Sequence, residues 1–244
     1  GYLDGTGTSA QFDRPAGFAF FSDGNRVAVA DRSNYRIRMI DMSTQSVTTL
    51  AGDGSTSIFN NPNDVCLNAD NTKIYVPEAS SNNRISEVMV DGGGTSVALS
   101  LAHEPTKCVV TSDNVLIYSQ KNGPVYEYSI SGWSLSKTYS SGVSAQQLVL
   151  NADETKIYFM SYSNAKLYYI DRELNTVHFI AGSGSSTDSD GTASTAGFFW
   201  PLGVALSKDE TTAYVSGYRN VRKVDLSNGD VTTLAGSLSS TGSS

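Results

Sequence analysis

The chain has little of what most catalytic and metal centres are made from. Its 244 residues include two histidines, His103 and His178, and two cysteines, Cys66 and Cys108. A histidine-held metal needs several ligands converging on one point, so a histidine-metal mechanism is disfavoured. No Gly-x-Ser-x-Gly elbow and no phosphate-binding glycine loop occurs. No apolar run approaches the roughly 20 residues that cross a bilayer, so membrane insertion by this domain is not expected. No signal-peptide pattern is present either. Basic residues are few and scattered: 17 Lys and Arg against 24 Asp and Glu give a net charge of −7. Nucleic acid, whose phosphates call for clustered Lys and Arg, is therefore not expected as a ligand. Sustained helical spacing is absent throughout.

What is present is one pattern repeated five times. The first copy reads Pro15-Ala-Gly-Phe-Ala-Phe, Arg26-Val-Ala-Val-Ala-Asp31, Arg36-Ile-Arg-Met-Ile-Asp41, Val47-Thr-Thr-Leu-Ala-Gly52. The last reads Pro201-Leu-Gly-Val-Ala-Leu, Thr212-Ala-Tyr-Val-Ser-Gly217, Val221-Arg-Lys-Val-Asp225, Val231-Thr-Thr-Leu-Ala-Gly236. Copies start near 15, 62, 105, 144 and 201, and the spacing varies between the fourth run of one copy and the first of the next. Short β-branched and aromatic runs bounded by Gly, Asn, Asp and Ser predict an all-β chain. Four strands per repeat, arranged radially, make the blades of a β-propeller. Inner-strand runs such as Gly17-Phe-Ala-Phe-Phe21 are apolar throughout, which predicts cover on both faces.

The stretch Val27-Ala-Val-Ala-Asp-Arg-Ser-Asn-Tyr-Arg-Ile-Arg-Met-Ile-Asp41 resembles the NHL repeat, a β-propeller repeat. So do the Thr-Leu-Ala-Gly endings and the Asp-Gly loops at Asp4 to Phe12 and Asp190 to Phe198. The resemblance implies one propeller domain over residues 1–244, built of four-stranded antiparallel blades. Such propellers usually have six blades and five repeats are visible here. Leu234-Ala-Gly-Ser and Asp4-Gly-Thr-Gly read together as one inter-blade loop. That favours a ring whose termini meet, with part of a six-bladed ring as the alternative.

Cys66 and Cys108 fall on the first strands of adjacent repeats, one residue out of phase. Two small buried core residues are expected there, with a disulfide as the alternative. Arg36 and Arg38 are expected along blade surfaces, paired with acids such as Asp31 and Asp41. Asp41, Asp171 and Asp225 end third strands, where Asp suits a turn. The Asp188-Ser-Asp190-Gly run reads as the repeat's ordinary turn.

Propellers of related architecture include lyases that use histidines and lactonases that hold an axial calcium. For calcium, this chain offers the oxygen ligands of Asn61, Asn63, Asp64 and Glu104, opposed by Arg14 and Lys107. No cofactor is the favoured expectation, and calcium on the axis the alternative. The first-strand entrances and the second-to-third-strand loops share one face of each blade. The candidate ligand-binding residues on it are Arg14, Tyr35, Asn63, Asp64, Glu104, Tyr162, Trp200 and Tyr218. Trp200 is expected to act as a packing residue, more sensitive to substitution than Tyr162. The opposite face carries short acidic turns with the pattern of solvated loops. The whole reads as a non-enzymatic recognition propeller engaging a protein or small ligand. A metal-assisted lyase or lactonase with an axial site is the alternative. A chain that opens on Gly1, with a Ser/Thr/Gly/Tyr-rich surface, suggests a secreted or cell-surface domain of a larger protein.

Overall fold

A computed structural model describes residues 1–79, 82–140, 142 and 144–237. Five antiparallel sheets account for nearly all the regular structure, each built on a meander of four sequence-adjacent strands, the first with Gly5–Thr6 added at its outer edge. The first blade comprises Pro15–Phe20, Arg26–Asp31, Arg36–Asp41 and Ser46–Ala51, and the second Cys66–Leu67, Lys73–Glu78, Arg84–Met89 and Thr95–Ser100. The third comprises Pro105–Val110, Val115–Gln120, Val125–Ser129 and Ser134–Tyr139. The fourth comprises Val149–Leu150, Lys156–Ser161, Lys166–Asp171 and Thr176–Ala181, and the fifth Gly203–Leu206, Thr212–Ser216, Asn220–Asp225 and Val231–Gly236. The chain divides into two compact units, residues 1–121 with 126–137, and residues 122–125 with 138–244.

Turn chemistry explains why the strands end where they do. Asp41, Asp171 and Asp225 each accept backbone N–H bonds from the residues two or three further on, as the sequence predicts. The first-to-second-strand turns place Gly24, Asn71, Asn114, Glu154 and Glu210 at positive φ. In the first unit these turns also tie blades together. Asn71 accepts the N–H of Ser22, and Asn114 that of Ala69. In the second unit Glu210 does the same for Ala152. They are exposed, as expected, yet they are also links.

In the first unit the core lies between blades. Val65, Ile74 and Val76 of the second blade pack on Phe21, Ala28 and Ala30 of the first. Between the second and third blades the two cysteines are joined as a disulfide, so the alternative reading holds and not the plain core pair. Their one-residue offset sets them on facing sides of neighbouring first strands. In the second unit Met160 and Leu167 of the fourth blade pack with Val204, Val215 and Val224 of the fifth.

Two expectations about side chains need correction. Arg38 is fully buried rather than spread along a blade surface, because it reaches the Asp31 carboxylate at 2.8 Å and that of Asp4 at 2.7 Å. Arg36 is buried as well, donating to the carbonyls of Asn34 and Asp53 with its guanidinium 3.3 Å from the Tyr2 ring centre. The run Gly17 to Phe21 is not covered on both faces either. Gly17 and Phe21 are buried, while Phe18 and Phe20 are 67% and 58% exposed.

The Asp-Gly loops explain themselves in the same contacts. Gly5–Thr6 pairs with the outer edge of the first blade's fourth strand, and Asp4 accepts from Thr49 and Arg38. In the fifth blade Gly191 bridges to Val231, and Asp190 accepts from Arg222 and Thr233. One loop design, spelled Asp-Gly-Thr both times, buckles an arginine of the third strand to the blade's outer edge.

Candidate functional site

The meander order puts first-strand entrances and second-to-third-strand loops at the same end of each blade, as Pro15 opposite Asp31 and Gly203 opposite Ser216 show. In the fifth blade that end carries a built aromatic group. The rings of Phe199 and Trp200 stack nearly parallel, with centroids 5.5 Å apart and planes 6° apart. Tyr218, from the second-to-third loop, stands edge-on to both, at 6.1 Å and 5.4 Å. Its N–H donates to the Phe199 carbonyl. The Arg219 guanidinium covers the Phe199 ring at 4.3 Å.

Charge beneath holds these rings in place. Asp188, almost wholly buried, lies 3.5 Å from Arg219 and 3.6 Å from Arg222, and accepts the N–H of Phe199. Phe198 is fully buried and anchors the loop from below. Phe59 fills the same role in the first unit, and Phe12 is only half-buried. Asp188 and Asp190 thus serve as arginine partners within the loop.

Trp200 is not the packing residue expected. It is 47% exposed, close to Tyr162 at 45%, and Tyr218 is 57% exposed. The packing role belongs to Phe198, two positions earlier. Trp200 has φ +47°, and the residues before Pro15 and Pro62, Arg14 and Asn61, have φ +50° and +53°. Asn tolerates that left-handed backbone; a bulky side chain does so at a cost.

A second group forms in the first unit on the inner strands. Asp64 is buried, 3.7 Å from Lys107 Nζ, and accepts the N–H of Cys108 at 3.1 Å. Lys107 also donates to the carbonyls of Ala16 and Asn63, at 3.5 Å and 3.4 Å. Gly17 lies so close to Asp64 that any β-carbon there would collide with the carboxylate. Burial pushes the Asp64 carboxyl up to about 6, against the pull of Lys107 and the Cys108 N–H. Glu104 is engaged elsewhere, paired with Lys121 at 3.0 Å. Two of the acids named for an axial calcium are thus each neutralised by an ammonium group, an arrangement that does not fit a dication. Among the described residues no three His, Cys, Asp or Glu side chains converge as a metal site.

The remaining candidates stand singly. Arg14 is highly exposed, 3.8 Å from Asp13. Tyr35 is half-buried against the core of the first unit. His103 stacks on Tyr126 and bonds the Tyr118 hydroxyl at 2.9 Å, with burial holding its pKa below the usual value. The sequence reading missed Asp188 and Arg219 as supports of the aromatic group. The signal was available in the paired arginines of Arg219-Asn-Val-Arg222 and the two acids facing them.

Comparison with known proteins follows this geometry. The NHL repeat model matches residues 12–38, across the entrance, the first two strands and the start of the third strand of the first blade. The chain belongs to the NHL-repeat β-propellers. A second propeller model, the WDR35 second beta-propeller, matches residues 67–188. The chloroplastic protein SUPPRESSOR OF QUENCHING 1 of Arabidopsis thaliana is 27% identical over 97% of this chain and 22% of its own length. Human NHL repeat-containing protein 2 is 34% identical over 36% of this chain and 13% of its own. This NHL propeller therefore spans about a fifth or less of these relatives. Solved structures share the fold at low identity. An auxiliary nutrient binding protein from Bacteroides thetaiotaomicron superposes with a TM-score of 0.78 at 16% identity, over 96% of this chain and 60% of that one. A chain of the nidogen/laminin complex gives 0.72 at 14%, over 92% and 84%.

Proposed function

We propose that this NHL propeller is a non-catalytic recognition domain that binds a protein or small ligand through the face bearing its first-strand entrances and second-to-third-strand loops. The observation that carries this reading is the Phe199–Trp200–Tyr218 group. Three adjacent rings, two of them about half exposed, are held by buried charge and a left-handed backbone. Rigid aromatics present contact area at low entropic cost. Similar structures include a nutrient-binding protein and a chain of the nidogen/laminin complex, which accords with a binding role. The disulfide supports an oxidising location, since such bonds persist in secreted and cell-surface proteins and are rare in the cytosol.

Affinity capture with the purified domain, followed by direct titration of whatever is captured, tests the reading. Tyr218→Ala is expected to weaken binding at least about tenfold, the loss of about 1.4 kcal/mol. Tyr162→Ala on the equivalent loop of the fourth blade is expected to weaken it less. Full binding by both variants would sink the choice of face.

A further inference from the structure

The Asp-Gly-Thr loop that closes the outer edge of the first and fifth blades has no counterpart on the second. Pairing register makes the comparison position by position. In the first blade Arg38 lies opposite Thr49, both donate to the Asp4 carboxylate, and Gly5 pairs with Val47. In the fifth blade Arg222 lies opposite Thr233, both donate to Asp190, and Gly191 bridges to Val231. In the second blade the same places hold Ser86 opposite Val97, with Thr95 where Val47 and Val231 stand. The fourth blade has Tyr168 opposite Phe179 there, two rings meeting edge-on at 6.1 Å. Strand Thr95–Ser100 is the edge of its sheet, and among the described residues no segment pairs with its outer side. The connector explains the gap. The loop into the fifth blade runs from Gly182 to Phe198, long enough to reach the outer edge and return, whereas the loop into the second runs only from Gly52 to Phe59. Its Asp53 closes a local turn on Ser55 instead. What remains is a groove of about 440 Å³ beside the edge, lined by Leu50 and Ala51 of the first blade, Ile58 of the connector, and Met89, Thr95 and Val97 of the second.

We propose that the outer edge of the second blade takes up an extended segment of a partner protein, added antiparallel to Thr95–Ser100. An apolar side chain of that segment lies in the groove, at the place that Asp4 and Asp190 fill in their own blades. Such strand addition draws affinity from main-chain hydrogen bonds and specificity from the side-chain pocket. Two features set this edge apart from a solvated one. Its sequence, Thr95-Ser-Val-Ala-Leu-Ser100, has neither charge nor proline, the usual guards of an unpaired edge. The receptacle for an aspartate is also gone, since Ser86 and Val97 replace its arginine and threonine. The guanidinium at the groove, that of Arg84, is already paired with Glu78 at 2.8 Å. A single extended segment is the occupant because that is what covers the same edge in the first and fifth blades. The site shares no residue with the aromatic group of the fifth blade.

The test uses the 244-residue chain and two synthetic peptides spanning Tyr2–Thr8, one with the natural sequence and one with Asp4→Leu. Backbone amide NMR reads the contact, and sedimentation the assembly state. The Asp4→Leu peptide is expected to shift and protect the amides from Thr95 to Leu99. The natural peptide is expected to bind at least about tenfold more weakly, because its carboxylate would be desolvated without a partner. Val97→Asp sets a charge in the groove at an exposed position. It is expected to abolish the shifts and leave the Tm in place. The peptide comparison on the unaltered chain stands whether or not that variant folds. No change at Thr95 to Leu99 with millimolar Asp4→Leu peptide overturns the inference. So does equal binding of the two peptides, or full binding by a folded Val97→Asp. Equal shifts with N-acetyl-leucinamide alone would make the groove a small-molecule pocket and overturn it too. Protection of the edge only on self-association would make the occupant a second copy, with the same consequence.

Discussion

Single residues in this propeller separate by whether their charge is buried. Arg38 and Asp31 form an ion pair with both side chains fully buried, whereas Arg26 and Asp23 pair at 2.7 Å with both well exposed. Removing one partner of a buried pair strands the other without water. Arg38→Met is therefore expected to cost about 3–5 kcal/mol, and Arg26→Met under about 1 kcal/mol. Denaturant unfolding of the two variants checks the difference, and similar small losses would contradict the buried assignment. Asp64 gives a pH signature of its own. Its carboxyl stands raised from 3.8 to about 6 in the folded chain, mainly by burial. The folded state thus holds a proton that the unfolded chain releases, so stability is fully present below pH 4 and declines as pH rises through 6. The decline is roughly 3 kcal/mol for a shift of this size. The lowered carboxyls, such as Asp41 at about 2, work in the opposite sense and only below their ordinary value, so the windows do not overlap. Melting temperature measured from pH 4 to pH 8 is expected to fall in the wild type and to flatten in Asp64→Asn. A flat wild-type profile would remove Asp64 from this role.

Elements were legible to different depths. Strand positions, turn aspartates and the shared loop end followed from period and turn chemistry, because those are local. What escaped was contact between repeats. The parity of Cys66 and Cys108 was visible, but parity does not say which faces meet, and the disulfide needed the packed pair of blades. Trp200 looked like a core aromatic because the repeat puts one nearby. Phe198 takes that place, and one sequence cannot show which of three adjacent aromatics turns inward. The acidic turns looked solvated because their partners are backbone N–H groups some 45–49 residues away. Asn71 does two jobs there, adopting φ +61° and accepting the N–H of Ser22 in the preceding blade's turn. Asn71→Gly keeps the backbone and loses the link, so a loss of about 1 kcal/mol is expected, one net hydrogen bond. Asn71→Ala loses the link and also strains the left-handed turn, adding about 1–2 kcal/mol. Equal stability of the two variants would mean that the left-handed turn carries no strain and the inter-blade bond alone is what matters.

At the scale of the whole molecule the question is which end of the blades meets the ligand. One end has turns committed to their own hydrogen bonds: Asp23 to Asn25 and Arg26, Asp70 to Thr72, Asp153 to Thr155. Groups so occupied have little left to offer a partner. The other end carries Trp200 and Tyr218, whose rings stand about half exposed among the described residues. Trp200 allows stability and function to be separated, because its positive φ suits Asn better than Trp. Trp200→Asn reproduces the residue that Asn61 provides at the same place in the second repeat. The expected outcome is an unchanged or slightly raised melting temperature together with a loss of binding of about tenfold or more, as for a central aromatic contact. Asp23→Asn, Asp70→Asn and Asp153→Asn at the turn end are expected to keep affinity within about twofold, since surface changes away from the contact alter little. Titration of one ligand against all four variants decides the matter. Loss of affinity on the turn-end changes, with Trp200→Asn binding normally, would move the recognition face to the opposite end of the blades.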